Sequence, residues 1–209
     1  GRTWRLPRLD GSFADAADAR IAREICTERD LFNCGGTFYE LPAENAGGIA
    51  KVRPVATHGL RIQDYGSYRG LLVMTGIDGG KNNPRIVRSS DGQAALWLGV
   101  ADDLWQLGKP SGKGGPWMKT QVRADISSDP FLMTGFDRKQ LDLSNEGDKE
   151  TTITLEADMT GDGHWALVKK YQLKPGETLE HTFPAWFQAC WARLVSSNDT
   201  VATAQFTYE

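Results

Sequence analysis

The sequence predicts an all-β protein: antiparallel, propeller-blade-like sheets over residues 1–115, followed by a β-sandwich over residues 116–209. Three observations carry this expectation. Short runs rich in aliphatic and aromatic residues recur along the chain, and Gly, Asp, Asn and Pro punctuate them. Beyond residue 150 the runs lengthen and alternate cleanly between apolar and polar positions.

In chain order, the first strand-like runs are 20–26 (RIAREIC), 36–41 (GTFYEL), 50–56 (AKVRPVA), 70–76 (GLLVMTG), 84–88 (PRIVR) and 94–99 (AALWLG). The stretch from Ala14 to Arg23 carries alanines and a hint of helical spacing. It is short and acidic at its start, so it reads as a single helical turn on a loop. The character changes near residue 115, and TTITLEA, HWALVKKYQL, TLEHTF, ACWARLV and VATAQFTY follow as longer strands. In the last, Ala202, Ala204, Phe206 and Tyr208 share one face while Thr203, Gln205 and Thr207 share the other, the pattern of a strand with one side on a core. The Pro-Gly of LKPGETLEH marks a hairpin connection. YRGLLVMTGID at 68–78 and SDPFLMTGFD at 128–137 echo each other, and would be equivalent strands of repeated four-stranded units.

Composition narrows the partners. With 209 residues, a formal charge of −3 and a pI near 5.7, the chain has no basic excess and no run of lysines or arginines, which argues against nucleic acid. No apolar run approaches the roughly 18 residues of a membrane span, so no membrane partner is expected. The opening GRTWRLPRLD, without Met or leader, reads as a processed or excised piece. The three cysteines show no metal-ligand spacing. Cys26 and Cys34 lie on neighbouring strand-like runs; a bridge between them and two buried thiols are both open readings.

The densest polar segment is RPVATHGLRIQDYGSYR at 53–69. An arginine pairs bidentately with a carboxylate, and a histidine or tyrosine moves protons, so the segment suits chemistry on an acidic sugar. On that reading His58, Asp64, Tyr65 and Arg69 are the catalytic candidates, with Arg53 and Arg61 binding substrate. The bland reading is an exposed hairpin with cross-strand Arg–Asp pairs. GVADDLWQLGKPSGKGGPWM at 99–118 sets acids, tryptophans and lysines among turn formers. Indole stacks on the C–H face of a sugar and carboxylates accept its hydroxyls, which makes Asp103, Trp105, Lys109 and Trp117 further substrate-binding candidates. The acids available for a hydrolytic pair also include Asp102, Asp125, Asp129 and Asp137. No nucleophile-elbow, P-loop, zincin or dinucleotide signature is present, and no cofactor is expected. DMTGDGHW at 158–165 resembles a calcium loop only loosely, and a plain turn is the better reading.

RTWRLP, NCGGTFYELP, RPVATHGLRIQDYGSYRGLL, ALWLGVADDLWQLGKPSGKGGPW, SDPFLMTGFD and FQACWARLVSSNDTVATAQFTYE together span nearly the whole chain. With these features the chain resembles the C-terminal part of large bacterial and fungal β-propeller carbohydrate-active enzymes that end in a β-sandwich. The resemblance implies a secreted polysaccharide lyase or glycoside hydrolase, extracellular or periplasmic, that degrades a glucuronate-containing polysaccharide or oligosaccharide. It implies as partner the remaining, N-terminal propeller segment of the same enzyme. A non-catalytic carbohydrate-binding or structural accessory domain is the alternative, one that keeps the tryptophans and has no need of His58.

Overall fold

Strands dominate the computed structural model, which describes residues 3–13, 20–26, 29–77 and 82–209, and every pairing within its four four-stranded sheets is antiparallel. The chain divides into two units, one of residues 8–111 and one of residues 112–209 joined by the N-terminal segment up to Pro7. The division thus falls at 111/112, a few residues before the expected boundary, and the first residues belong with the last ones.

In the unit of residues 8–111, β1 (Ile21–Cys26), β2 (Arg29–Cys34), β3 (Thr37–Leu41) and β4 (Arg53–Thr57) form a meander in that order. Pro54 is tolerated because β4 is an edge strand, where a missing N–H breaks no ladder, and the register slips beside it between Phe38 and Tyr39. The second sheet holds β5 (Asp64–Tyr68), β6 (Leu71–Thr75), β7 (Ile86–Arg88) and β8 (Ala95–Gly99) in the order β5-β6-β8-β7. The first sheet has the connectivity of a propeller blade; the second does not, because β7 lies outside β8, and among the described residues no ring of blades closes. The expected strands are all present, with β2 and β5 added between them. Residues 14–19 of the expected helical turn lie outside the described residues; from Ile21 the chain is strand, preceded by a single 3-10 turn at Gly11–Phe13.

The two sheets share one core. Leu31 and Phe38 from the first meet Tyr65, Leu72, Met74 and Trp97 from the second, with Leu104 closing one end. Trp97 is fully buried, as its place in an alternating strand predicts. Tyr68, Leu71, Val87 and Leu96 alternate with these core positions and therefore project from the opposite side of the second sheet, where all four are exposed. The pairings Tyr68↔Leu71 and Val87↔Leu96 set them side by side across adjacent strands.

The register of β1 with β2 overturns the bridge between Cys26 and Cys34. Cys26 is opposite Arg29 at one end of the pair, and Cys34 is at the far end of β2. Five residues of strand separate the two by about 16 Å, against a Cα separation below about 7 Å in a disulfide.

The second unit is a sandwich. β9 (Gly112–Val122), β10 (Phe131–Leu132), β11 (Lys139–Asn145), β12 (Thr151–Asp158), β13 (Trp165–Leu173), β14 (Thr178–Thr182), β15 (Trp191–Ser196) and β16 (Thr200–Tyr208) form two sheets, β10-β15-β12-β13 and β14-β11-β16-β9. This crossing order is that of an eight-stranded jelly roll. Phe131 of one sheet stacks on Phe206 of the other at 5.2 Å between ring centroids, and Ala192, Leu194, Leu141 and Ala204 face the same core, while Trp191 lies on the other face of its sheet. The N-terminal segment adds to the edge at β10: Arg5 donates its N–H to Pro130 O and accepts from Leu132, and Trp4 lies 4.4 Å from Trp191. Glycine makes β9 possible, since a Cβ on Gly115 would run into the Ala204 carbonyl and approach Gln205 Cα to 2.8 Å. The two Met-Thr-Gly echoes are not equivalent strands: Met74 is on β6 of the first unit, and Met133 follows β10 in the jelly roll.

Candidate functional site

The polar segment at 53–69 does not gather into one site. His58 leaves β4 and turns inward, 2 % exposed, between Phe38 and Phe13. With its proton on Nε2, it donates to Asn33 Oδ1 at 3.0 Å while Nδ1 accepts the Leu60 N–H at 3.3 Å. Burial pushes its pKa down to about 4, against a smaller opposing effect of the Leu60 backbone contact. Both ring nitrogens are thus occupied by the fold, and the catalytic candidate His58 is a core residue. Tyr65 is buried too, its hydroxyl against the carbonyls of Ile21 at 2.5 Å and Leu31 at 2.6 Å, and burial drives its pKa upward. Asp64 is half exposed in an ion pair with Arg23 at 3.2 Å. The N–H of Tyr65, and then Arg23, hold its carboxyl below the usual range. Arg69 occupies the left-handed region (φ 51°) of the β5–β6 turn, with its guanidinium over the Tyr68 ring at 5.4 Å. Arg61 donates to Ser12 O at 2.5 Å and covers the Phe13 ring, while Arg53 pairs with Glu40 at 3.0 Å. Of these contacts only Arg53–Glu40 is a cross-strand pair, and no two of His58, Tyr65, Asp64 and Arg69 share a contact beyond the Tyr65 N–H that Asp64 receives.

The stretch at 99–118 is more productive. It begins with a 3-10 turn, Ala101–Gln106, whose three-residue period places 103 and 106 on one side, 102 and 105 on a second, and 101 and 104 on a third. Leu104 is the inward anchor, 2 % exposed. Trp105 stands out from the turn, 67 % exposed, on a shallow depression with Leu31, Val55 and Leu104 at its base and Asp30, Glu40 and Asp102 around it. On the other side Asp103, 8 % exposed, accepts the Val100 N–H at 2.8 Å through Oδ2. Its Oδ1 accepts from Arg85 Nη2 at 2.5 Å and from Gln106 Nε2 at 3.3 Å. Gly99 makes room for it, because a Cβ there would approach Asp103 Oδ2 to 2.9 Å and strike the Trp97 ring. Asp103 and Arg85 face a pocket of about 460 Å³ that Asn82, Asn83, Trp97 and Gln106 also line.

The remaining expected binders part company. Lys109 is exposed beyond the turn, whereas Trp117 belongs to β9 of the other unit and is buried in the sandwich core, 4 % exposed. Trp117 is therefore no rim residue beside Trp105. In DMTGDGHW the Asp158 carboxylate, 1 % exposed, accepts the N–H groups of Thr160, Gly161, Asp162 and Gly163, which is how a tight turn between β12 and β13 is held. Among the described residues no group of three His, Cys, Asp or Glu side chains could hold a metal ion. Arg85, Asn83, Asp30 and Glu40 were not singled out by the sequence. The Asn-Pro pair before Arg85 marks a turn, yet the meeting of Arg85 with Asp103 depends on β7 pairing with β8.

No family model matches the chain, and no curated protein matches it. A solved structure described as "Crystal structure of PirA" aligns with 47 % of this chain and 84 % of its own at 19 % identity, with a TM-score of 0.28, a likeness too loose to carry an argument about fold or activity.

Proposed function

We propose that residues 8–111 form a carbohydrate-binding module without catalytic action of its own, in which Trp105 stacks against a sugar ring. The observation that carries this reading is the 67 % exposure of Trp105 on a short turn anchored by Leu104, which is only 2 % exposed. A rigidly held, outward indole offers a flat apolar face at little entropic cost, and sugars present matching C–H faces. The carboxylates of Asp30 and Asp102 beside it accept hydroxyl hydrogen bonds, and their charge disfavours an acidic sugar at this point, while Glu40 is already paired with Arg53. The ligand here is accordingly a neutral glycan. Degradation of the polysaccharide would need His58, Tyr65, Asp64 and Arg69 to act together, whereas His58 and Tyr65 are buried in the core, Asp64 pairs with Arg23 and Arg69 lies on the β5–β6 turn over Tyr68. A glycan ligand goes with an extracellular or periplasmic site of action; among the described residues no helix is long and apolar enough to cross a membrane.

The test is calorimetric titration with a panel of neutral oligosaccharides, together with mass spectrometry of the sugars afterwards. Trp105→Ala should weaken binding by about tenfold or more, as expected for loss of a stacking aromatic. Unchanged affinity in that variant, or no binding by any member of the panel, overturns the reading. Shortened oligosaccharides would restore the degrading enzyme.

A further inference from the structure

The pocket on the Asp103 side of the turn is separate from the Trp105 depression, and its hydrogen-bonding capacity is lopsided. The backbone N–H of Arg85 donates to Asn83 at 3.0 Å, so the atom accepting it must be the side-chain oxygen, and the Asn83 amide nitrogen is left as donor. The Asp103 carboxylate likewise fixes Gln106 with its nitrogen inward. Three hydrogen bonds already converge on Asp103 from Val100, Arg85 and Gln106. The principal acceptors are therefore engaged by the protein itself. Arg85 meets Asp103 through Nη2, its side chain remains 37 % exposed, and its Nε and Nη1 edge takes no part in that contact. Donors are in surplus, in a pocket of about 460 Å³, which falls within the range of roughly 300–1,000 Å³ usual for small-ligand sites.

We propose that this pocket binds the carboxylate of a small monoacid, with the Arg85 guanidinium and the Asn83 amide as donors and Asp103 holding Arg85 in place. A planar acceptor with paired oxygens suits a guanidinium fork. Among the described lining residues the ion pair leaves no net charge, which suits one negative charge better than the two of a phosphate monoester. The carboxylate can belong to a free acid or to a sugar acid. The inference stands apart from the glycan reading, since it uses neither Trp105 nor the acids around it.

The experiment is titration of the intact chain with propionate, its neutral isostere propionamide, and glucuronate, followed by calorimetry and by amide shifts of residues 82–107. Propionate should bind about tenfold more tightly than propionamide, the scale of a charged hydrogen bond. Arg85→Gln should abolish the difference. Because that variant leaves Asp103 without its cation, Arg85→Lys serves beside it: it keeps the charge and loses the fork, and should retain the thermal midpoint while losing most of the preference. Equal binding of propionate and propionamide to the wild-type chain overturns the proposal, as does an undiminished preference in both folded variants. Glucuronate binding tighter than propionate supports a sugar acid as the source, and weaker binding supports a free acid. Neutral oligosaccharide binding that survives in Arg85→Gln shows the Trp105 reading intact whichever way the acids behave.

Discussion

His58 shows at the scale of one residue how a sequence can mislead. Between Thr57 and Gly59 it has the neighbours of a solvated turn, and its real surroundings, Asn33 on β2 and Phe38 on β3, come from strands 20 or more positions away. Trp105 was legible, because no alternating strand pattern surrounds it; Asp103 was legible as an acid and illegible as the partner of Arg85. The depressed pKa of His58 has a thermodynamic consequence. The folded residue takes up its proton near pH 4 and the unfolded one near pH 6.5, so its contribution to stability is complete above pH 6.5 and is lost as pH falls through the folded value. The unit of residues 8–111 should lose about 2 kcal/mol between pH 7 and pH 5, before most carboxylates titrate. Urea midpoints at the two pH values check this: the wild type should shift, and His58→Phe, less stable at both, should lose that shift.

At the scale of elements, the long C-terminal strands β12 and β16 were readable because buried positions alternate through most of their length. β9 was not, for GKGGPW has the composition of a loop. Its glycines serve a close approach of two backbones, visible only once Gly115 is seen against Ala204 on β16. β11 was missed because its inward positions begin and end with polar residues, Lys139 and Asn145. Each is satisfied from afar: Lys139 Nζ donates to the carbonyls of Phe136 and Phe187, and the Asn145 side chain bridges Lys149, Leu173 and Thr200. β2 and β5 are short and largely polar, so neither periodicity nor composition announces them. Gly115→Ala is the sharpest probe of β9. The methyl has to displace strand backbone, and the sandwich should lose about 2 kcal/mol or more, read as a lowered thermal midpoint of that unit. An unchanged midpoint would mean that β9 runs further from β16 than described.

The whole molecule is nested: residues 8–111 interrupt the jelly roll between its first segment and β9. Length and composition allowed one or two domains, but nothing local tells RTWRLP that its neighbours are Phe131 and Trp191. Trp4→Ala should therefore weaken the distant sandwich by about 2 kcal/mol through lost packing on Trp191, and leave the unit that follows it directly in sequence unaffected. Calorimetry of the two transitions separates these outcomes, and a shift confined to residues 8–111 would reject the nested arrangement. The second sheet of that inserted unit, with Tyr68, Leu71, Val87 and Leu96 bare on its outer side, bears on how the protein behaves in concentrated solution. Water gains by leaving such a surface, and two chains that collide there have aliphatic side chains to set together. Colloidal stability is thus governed by one sheet face, and raising salt, which weakens repulsion between anionic chains and strengthens apolar contact, should bring the solubility limit down.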